Sequence, residues 1–178
     1  GRDLLEVEIL NPTRTRLLFT LFNNHLKSKF VPFGRDPARE RAEADAWRRR
    51  QAQAISRIVG RRMRRNARYV VTGDMNDAPD AATIEPMLTI DGRDLVDALA
   101  DPRETRPPKD ERTGPGPRTP GWTYRFKQSG KPPQYQLLDQ VWLSPALGDR
   151  LVGATIGRRK THGGDGSDHD PAWIELDL

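Results

Sequence analysis

The stretch Arg68-Tyr69-Val70-Val71-Thr72-Gly73-Asp74-Met75-Asn76 decides the fold of this chain. Residues 68–72 predict a buried strand, and Gly73 lets the chain turn sharply where that strand ends. Asp74 and Asn76 then project from the same strand end. A carboxylate and an amide two residues apart can together hold a hard cation, a bound water or a phosphate oxygen. Taken alone, residues 73–76 are more typical of an Asx turn, so the other segments decide their meaning.

Three further segments end strands with an acid, an amide or a histidine. They are Asn24-His25-Leu26-Lys27-Ser28, Leu138-Asp139-Gln140-Val141-Trp142-Leu143-Ser144 and Gly166-Ser167-Asp168-His169-Asp170-Pro171. His169 has a side chain that titrates near neutral pH, so it can take a proton from water. A neighbouring carboxylate would fix its tautomer. Asp139 is the candidate, because the alternation of Asp139, Val141 and Leu143 places it opposite the buried face.

In this order and with this spacing, the four segments resemble the endonuclease/exonuclease/phosphatase superfamily, which has the deoxyribonuclease-I-like fold. The resemblance runs from about Leu4 to Leu178. It implies one α+β domain over residues 1–178, an α/β sandwich in which mixed β-sheets pack face to face and helices cover the outside. It also implies hydrolysis of phosphodiesters or phosphomonoesters with a divalent metal.

The family's first strand, and the following Glu that ligates the metal, normally lie upstream of anything present here. Glu6 and Glu8 have no matching context and do not replace that Glu. We therefore expect the chain, which starts at Gly1, to be the C-terminal portion of the domain. Its inner face should be apolar, from residues 17–19 and 70–71. Self-association or a preceding segment is expected to cover that face, because exposing it to water is costly.

The resemblance implies a role for each residue at the strand ends. Asp168, with Asp74 and Asn76, is expected to hold Mg²⁺ or Mn²⁺, and Ca²⁺ is a further option. His25 and Asn76 are expected to hold the phosphate, while His169 deprotonates the water that Asp74 orients. The implied catalytic residues are His25, Asp74, Asn76, Asp139 and His169.

Four other residues are candidates for contact with the substrate. Asn24 and Lys27 flank His25 in the first segment. Trp122 and Tyr124 are candidates to line the cleft because flat rings suit sugars and bases. One ring in the core and one at the rim is an equally good interpretation. His162 is expected on a loop beside the site, and three histidines without any cysteine argue against zinc.

Composition excludes several classes of protein. Hydrophobic residues make up 35% of the chain and charged residues 31%, so no segment is predicted to span a membrane. The absence of cysteine excludes disulfides and thiolate sites, but it leaves the compartment open. The His-Leu-Lys-Ser form of the first segment resembles bacterial members that are often extracellular. A soluble protein, with secretion from a bacterium as one option, is the expectation.

The positive charge is concentrated in one segment. Residues 35–68 hold twelve Arg and four acidic residues, which gives +8 there against +5 for the whole chain. A basic protein favours acidic partners such as nucleic acid. Arginines on the solvated face of one helix explain the pattern slightly better. That helix is predicted over about 39–65, with a buried face formed by Trp47, Ala54, Ile55, Ile58, Val59 and Met63.

The remaining pattern predicts short strands and loops. Alternation at Leu5, Val7 and Ile9 predicts a strand that forms a hairpin with residues 16–22. Further strands are predicted at 123–126, 137–143 and 173–176, with a weaker one at 153–157. A short helix is predicted at 84–88, and residues 94–99 are ambiguous. Residues 101–120, with six prolines, predict a surface loop.

Three functional hypotheses follow. The leading one is a metal-dependent phosphoesterase, specifically a nuclease-like phosphodiesterase whose substrate, nucleic acid among the candidates, the sequence leaves open. The second is a non-catalytic module on the same fold that binds nucleic acid or protein, because the family Glu is absent. The third is a nucleic-acid-binding domain that works through its arginine-rich helix alone, with strongly salt-dependent binding.

Overall fold

The computed structural model describes residues 3–30, 36–104, 121–158 and 166–178. The helices are α1 (Pro37–Arg62), α2 (Glu85–Leu88) and α3 (Pro145–Gly148). The strands are β1 (Leu5–Leu10), β2 (Leu17–His25), β3 (Tyr69–Asp74), β4 (Thr89–Ile90), β5 (Arg93–Asp94), β6 (Val96–Asp97), β7 (Arg103–Glu104), β8 (Tyr124–Phe126), β9 (Gln134–Gln136), β10 (Asp139–Leu143), β11 (Leu151–Ile156) and β12 (Ala172–Leu176). The large sheet has the order β1-β2-β3-β10-β6, and a second sheet has the order β12-β11-β7.

The large sheet is covered on both faces. On its outer face, Val71 and Trp142 pack with Ile55 of α1 in one apolar core. On its inner face, Val70 packs with Ile174 of the second sheet in another. Burying both faces removes apolar surface from water at roughly 25 cal/mol per Å². This arrangement of two sheets with an outer helix confirms the α+β sandwich.

The predicted hairpin and the strand that decides the fold are both present. β1 pairs antiparallel with β2, β2 pairs parallel with β3, and β3 pairs antiparallel with β10. Gly73 has a φ of +130°, and a Cβ atom there would lie 1.8 Å from the carbonyl oxygen of Asn24. Only glycine fits at this position, because the neighbouring strand passes too close for any side chain.

The interpretation of β10 as a strand with one buried face was wrong. Leu143 is fully buried between the two sheets, and Val141 packs into the same core. Both lie on the side of the strand that also carries Asp139, because side chains alternate along a strand. The alternation therefore does not separate core from solvent in a sheet covered on both faces. Asp139 is partly exposed because it lies at the end of the strand.

Helix α1 is confirmed, beginning two residues and ending three residues earlier than predicted. Its N-cap is Asp36, whose Oδ1 accepts hydrogen bonds from the backbone N–H groups of Ala38 and Arg39. Pro37 follows at the first helical position, where its missing N–H leaves no bond unmade. Pro37 therefore begins the helix, two residues before the predicted start.

The buried face of α1 differs from the predicted one. Trp47 is 49% exposed and Ile58 is 43% exposed, whereas Arg48 is fully buried. The buried positions are Ala44, Arg48, Ala52, Ile55 and Val59. The apolar pattern identifies Ile55 and Val59 correctly, but it misses the rest of the face because an ion-paired arginine occupies one of its positions.

Several short elements refine the predicted C-terminal half. The weak strand at 153–157 is β11, which pairs antiparallel with β12 along its length. The ambiguous stretch 94–99 contains β6, at the edge of the large sheet. The predicted loop 101–120 is partly corrected, because its residues Arg103 and Glu104 form β7 beside β11. Residues 105–120 and His162 lie outside the described residues.

Candidate active site

Three polar residues lie side by side at the end of the large sheet. His25 of β2 is in register with Asp74 of β3, and Asp139 of β10 is in register with Asp74 from the other side. Strand alternation places all three on the inner face, where Val70 packs against the second sheet. The separate strand-end segments therefore form one row across three strands.

Asp74 is the centre of a hydrogen-bonded cluster. Its Oδ2 lies 3.3 Å from His25 Nε2 and accepts a bond of 3.1 Å from Asn76 Nδ2. Its Oδ1 accepts a bond of 2.8 Å from the backbone N–H of Asn76. Asn76 has a φ of +52°, which asparagine tolerates better than most residues. The segment is thus both the Asx turn and the polar cluster that the sequence presented as alternatives.

Burial changes the acidity of Asp74. It raises the pKa of Asp74, and the nearby Asp139 carboxylate raises it further, while the Asn76 N–H and the two histidines act in the opposite direction. A carboxyl group with a raised pKa holds a proton to a higher pH than an exposed one. Asp74 is therefore electrostatically coupled to the groups on both of its neighbouring strands.

Asp139 and His169 form a hydrogen-bonded pair. His169 Nδ1 lies 2.6 Å from Asp139 Oδ2, and an isolated bridge to Tyr124 holds the His169 backbone. The hydrogen bond to Asp139 raises the pKa of His169, partly offset by burial. Because Nδ1 is engaged by the carboxylate, Nε2 is left as the nitrogen that can exchange a proton. Nε2 lies 3.9 Å from Asp168 Oδ1.

The two aromatic candidates for contact with the substrate differ in exposure. Tyr124 is partly exposed, and its ring lies 5.0 Å from that of His169. The prediction that Trp122 lines the cleft is not supported, because its ring is buried, with Tyr135 on it and the Arg158 guanidinium 3.7 Å from its centroid. The alternative of one core ring and one rim ring fits.

The two residues that flank His25 also differ. The Asn24 side chain lies on the opposite face of β2 from His25, is 7% exposed, and donates to the Thr72 carbonyl oxygen. It therefore does not reach the row of polar residues as predicted. Lys27 is exposed, while its backbone is held by Gln51 and Arg48 of α1.

An open cleft of about 570 Å³ lies beside the Asp139–His169 pair. Its wall combines the end of β3, the start of β10 and the segment that leads into β12. The lining residues are Thr72, Gly73, Asp139, Gln140, Val141, Ser167, His169, Asp170, Pro171 and Ala172. The pair is therefore open to a ligand from the side on which the two sheets meet.

Sequence reasoning missed the buried polar residues behind the site. Arg48 donates from Nε to Asp77 Oδ2 at 3.0 Å, and Asp77 also contacts Lys29 Nζ at 2.5 Å and Thr83 Oγ1 at 2.6 Å. Arg48 further donates to the Lys27 carbonyl oxygen. The charge pattern predicts Arg48 to be one of twelve arginines on a solvated face. The signal that Arg48 is buried is its spacing, because it falls on the same helical face as Ala44 and Ala52.

The family model described as the Endonuclease/Exonuclease/phosphatase family matches residues 3–169. The chain belongs to the endonuclease/exonuclease/phosphatase family. Members of the family are hydrolases that act on phosphoester bonds, and they generally depend on a divalent metal. No match was found among curated proteins.

Solved structures with the same fold support the architecture. An endonuclease/exonuclease/phosphatase from Bacteroides vulgatus has a TM-score of 0.62 at 19% identity, covering 99% of this chain and 56% of that protein. A 3′ phosphatase from Neisseria, bound to a product DNA hairpin, has a TM-score of 0.55 at 17% identity, covering 90% and 62%. Beta toxin from Staphylococcus aureus with bound magnesium ions has a TM-score of 0.59 at 13% identity, covering 99% and 58%. The chain thus spans less than two thirds of the length of each.

The oxygen donors of the site suit a metal ion to different degrees. Among the described residues, no three His, Cys, Asp or Glu side chains converge to hold an ion. The Asp168 carboxylate is 76% exposed beside His169, which suits a hard ion that keeps most of its waters. Asp74 suits it less, because both of its oxygens already accept hydrogen bonds. The oxygen donors fit a mostly hydrated Mg²⁺ rather than an all-protein cage.

Within the described ranges, none of the helices combines the length and the apolar character needed to cross a bilayer. The longest, α1, instead carries charged residues along most of its length.

Proposed function

We propose that this protein is a divalent-metal-dependent phosphodiesterase of the nuclease type. The observation that carries the proposal is the 2.6 Å hydrogen bond between Asp139 and His169, set beside the row of His25 and Asp74. A carboxylate-bound imidazole next to an open cleft is the arrangement that a general base for water needs. Family membership supplies the reaction class, hydrolysis of a phosphoester bond.

The proposed step is an in-line displacement by water. With its Nδ1–H donated to Asp139, His169 takes a proton on Nε2 from the attacking water. The water oxygen then bonds to phosphorus as the bond to the leaving oxygen breaks, and solvent protonates that oxygen. His25 holds the phosphate and Asp74 orients the water. The buried Asn76 amide donates to the Leu26 carbonyl oxygen and to Asp74 Oδ2, so it fixes the Asp74 carboxylate rather than binding the phosphate as predicted. A Mg²⁺ or Mn²⁺ ion on Asp168 would offset the charge that develops on the phosphoryl oxygens.

A nucleic acid is the proposed substrate class. Two observations support it: the net charge of +5, which favours polyanions, and Tyr124, whose partly exposed ring beside His169 suits stacking with a base. Lys27 lies two residues after His25, and its exposed side chain can contact a phosphate.

The test is hydrolysis of a generic phosphodiester, bis(4-nitrophenyl) phosphate, by the protein encoded by the whole reading frame. We expect turnover with Mg²⁺ or Mn²⁺ that EDTA abolishes, and a higher metal concentration for half-activity in Asp168→Ala. Asp101→Ala, an exposed aspartate outside the site, is the matched control and should behave as wild type. Absence of hydrolysis with Mg²⁺, Mn²⁺ and Ca²⁺ would contradict the proposal.

A second candidate is a non-catalytic binding module on the same fold. The observation that favours it is the lack of three converging metal-binding side chains among the described residues. Such a module would bind a single-stranded oligonucleotide without cleaving it, and His169→Ala would bind equally well. Cleavage that depends on His169 would rule this candidate out.

A further inference from the structure

Thr123 is a buried residue that lies between the two segments carrying Asp139 and His169. Its side chain is fully buried. Its Oγ1 accepts hydrogen bonds from two successive backbone N–H groups, that of Leu138 at 3.2 Å and that of Asp139 at 3.0 Å. One hydroxyl therefore fixes the backbone at the start of β10, where the Asp139 side chain begins.

The backbone of Thr123 reaches the other member of the pair. Its carbonyl oxygen accepts a bond of 2.7 Å from the N–H of Asp170, the residue after His169. Its own N–H donates to the Gln136 carbonyl oxygen at 3.0 Å. The next residue, Tyr124, bridges to His169. Thr123 is thus bonded to the large sheet on one side and to the segment leading into the second sheet on the other.

A buried ion pair holds the same segment from a second direction. Arg158 of the chain after β11 lies 2.9 Å from Asp170 Oδ2, and both side chains are almost completely buried. The same guanidinium donates to the Trp122 carbonyl oxygen and stacks on the Trp122 ring. Breaking one member of such a pair is costly, so Asp170 is fixed against residues 122–123.

We propose that Thr123 is a positioning residue, which sets the distance between Asp139 and His169 by binding the backbone on both sides of the pair. The inference rests on the proposed function for its kinetic consequence, because a displaced carboxylate misaligns the imidazole that takes the proton. The hydroxyl is the essential part. A methyl group of the same size fills the space but cannot accept a hydrogen bond from either N–H group.

The experiment compares Thr123→Val, which is nearly isosteric, with Thr123→Ser, which keeps the hydroxyl. Thr20→Val is the matched control, a buried threonine of β2 outside the site. Two readouts are measured on the protein: kcat and KM for bis(4-nitrophenyl) phosphate, and the NMR signal of the His169 Nδ1–H proton. That proton resonates at low field when it is donated to a carboxylate.

We expect Thr123→Val to lower kcat by about tenfold with KM little changed, because both hydrogen bonds that hold the start of β10 are lost. Its Nδ1–H signal should broaden or move upfield. Thr123→Ser and Thr20→Val should keep both values close to wild type. If Thr123→Val does not fold, Thr123→Cys replaces it, since a thiol has a similar size and accepts weakly, and it should show the same direction of change.

Two results would overturn the proposal. One is wild-type kcat and an unchanged Nδ1–H signal in Thr123→Val. The other is an equal loss in the valine and serine variants, which would indicate packing rather than hydrogen bonding. If the wild-type protein hydrolyses nothing, the proposed function fails, and the Nδ1–H signal alone decides the positioning role. An unchanged signal in Thr123→Val then overturns it, and a shifted signal restored by serine supports it.

Discussion

The two halves of the site are assembled in different ways. His25 and Asp74 are neighbours because two parallel strands of one sheet end at the same register. Asp139 and His169 are neighbours across the two sheets, since His169 lies in the segment that enters β12. The first half needs only strand pairing, whereas the second needs the two sheets to be held at a fixed distance. The proposed base therefore depends on contacts between segments that lie far apart in the chain.

The supports behind the two halves also differ. Behind the first, Arg48 of α1 is ion-paired with Asp77 and bound to the Lys27 carbonyl oxygen. Behind the second, Thr123 and the Arg158–Asp170 pair join β10 to the segment after His169. Charge therefore anchors the first half to a helix, and a hydroxyl together with a buried ion pair anchors the second. Variants in the first half and variants in the second half should therefore lose activity and stability to different extents.

The largest expected difference is between the two histidines. His169→Ala should lower kcat by about 10²–10⁴-fold with KM little changed, because a general base acts mainly in the transition state. His25→Ala should cost only about 10–100-fold, the range for a hydrogen bond to a charged group. Steady-state kinetics on a generic phosphodiester would check this. A larger loss from His25→Ala would reverse the proposed roles.

The next largest effect concerns stability in the first half. Arg48→Met should destabilise the fold by about 3 kcal/mol, because Asp77 would lose one of its buried partners while Lys29 remains. Urea unfolding would measure this as a lower midpoint. Arg57→Met, an exposed arginine of the same helix, should change stability by at most about 0.5 kcal/mol.

A double variant tests whether the ion pair between Arg48 and Asp77 causes that loss of stability. Arg48→Met with Asp77→Asn removes both charges, so much of the lost stability should return. If the unfolding midpoint stays as low as in the single variant, the ion pair is not the source of the effect.

The pH dependence of stability should distinguish the halves. The bond to Asp139 raises the pKa of His169 above its ordinary value of 6.5. Protonated His169 therefore stabilises the fold, fully below pH 6.5 and progressively less as pH rises through the raised folded-state pKa. Asp139→Asn should flatten this part of a plot of Tm against pH. An unchanged slope would mean that the pair does not couple to folding.

Asp74 should affect the stability of the fold at a lower pH than His169 does. Burial raises its pKa above the ordinary value of 3.8, so its contribution is complete below that pH and is lost as pH rises through the folded-state pKa. Asp74→Asn should remove the slope near pH 4 and keep most of the one above pH 6.5, because Asp139 is a larger cause of the raised His169 pKa than Asp74. Loss of both slopes in this variant would show that the halves titrate as one unit.

The smallest effect on stability is expected at the β1–β2 edge of the large sheet, which includes the strand that carries His25. Val70, opposite the second sheet, is 3% exposed, whereas Leu5 and Leu17 at the β1–β2 edge are 57% and 48% exposed. We predict that the 178-residue chain associates through this apolar edge. Leu5→Ser with Leu17→Ser should lower the mass measured by sedimentation, with stability changed by at most about 0.5 kcal/mol per exposed site. A monomer in both cases would contradict the prediction.

The sequence predicted the first half of the site closely. Strand β3, its glycine and the polar pair Asp74 and Asn76 follow from local pattern, because a strand end and a turn are decided by neighbouring residues. The parallel neighbour β2 then places His25 in line with Asp74. The helix α1 also follows from its length and spacing, although the charged residue on its buried face does not.

The burial of side chains was predicted less well. Trp47 and Ile58 are exposed and Arg48 is buried, because a partner 29 residues away, Asp77, supplies the charge that lets an arginine enter the core. Trp122 is buried for a related reason, since Arg158 covers its ring. Such partners lie far apart in the chain, so no window of local sequence contains both.

The sequence by itself determined the family, the sandwich class and the identity of the polar residues at the strand ends. Those features depend on residue type and short spacing, which the chain carries locally. Tertiary structure alone decided that β10 is buried on both faces, that Thr123 joins the segments of Asp139 and His169, and that Arg48 stands behind the His25 segment. The physical reason is that these contacts form only when two sheets and a helix pack together.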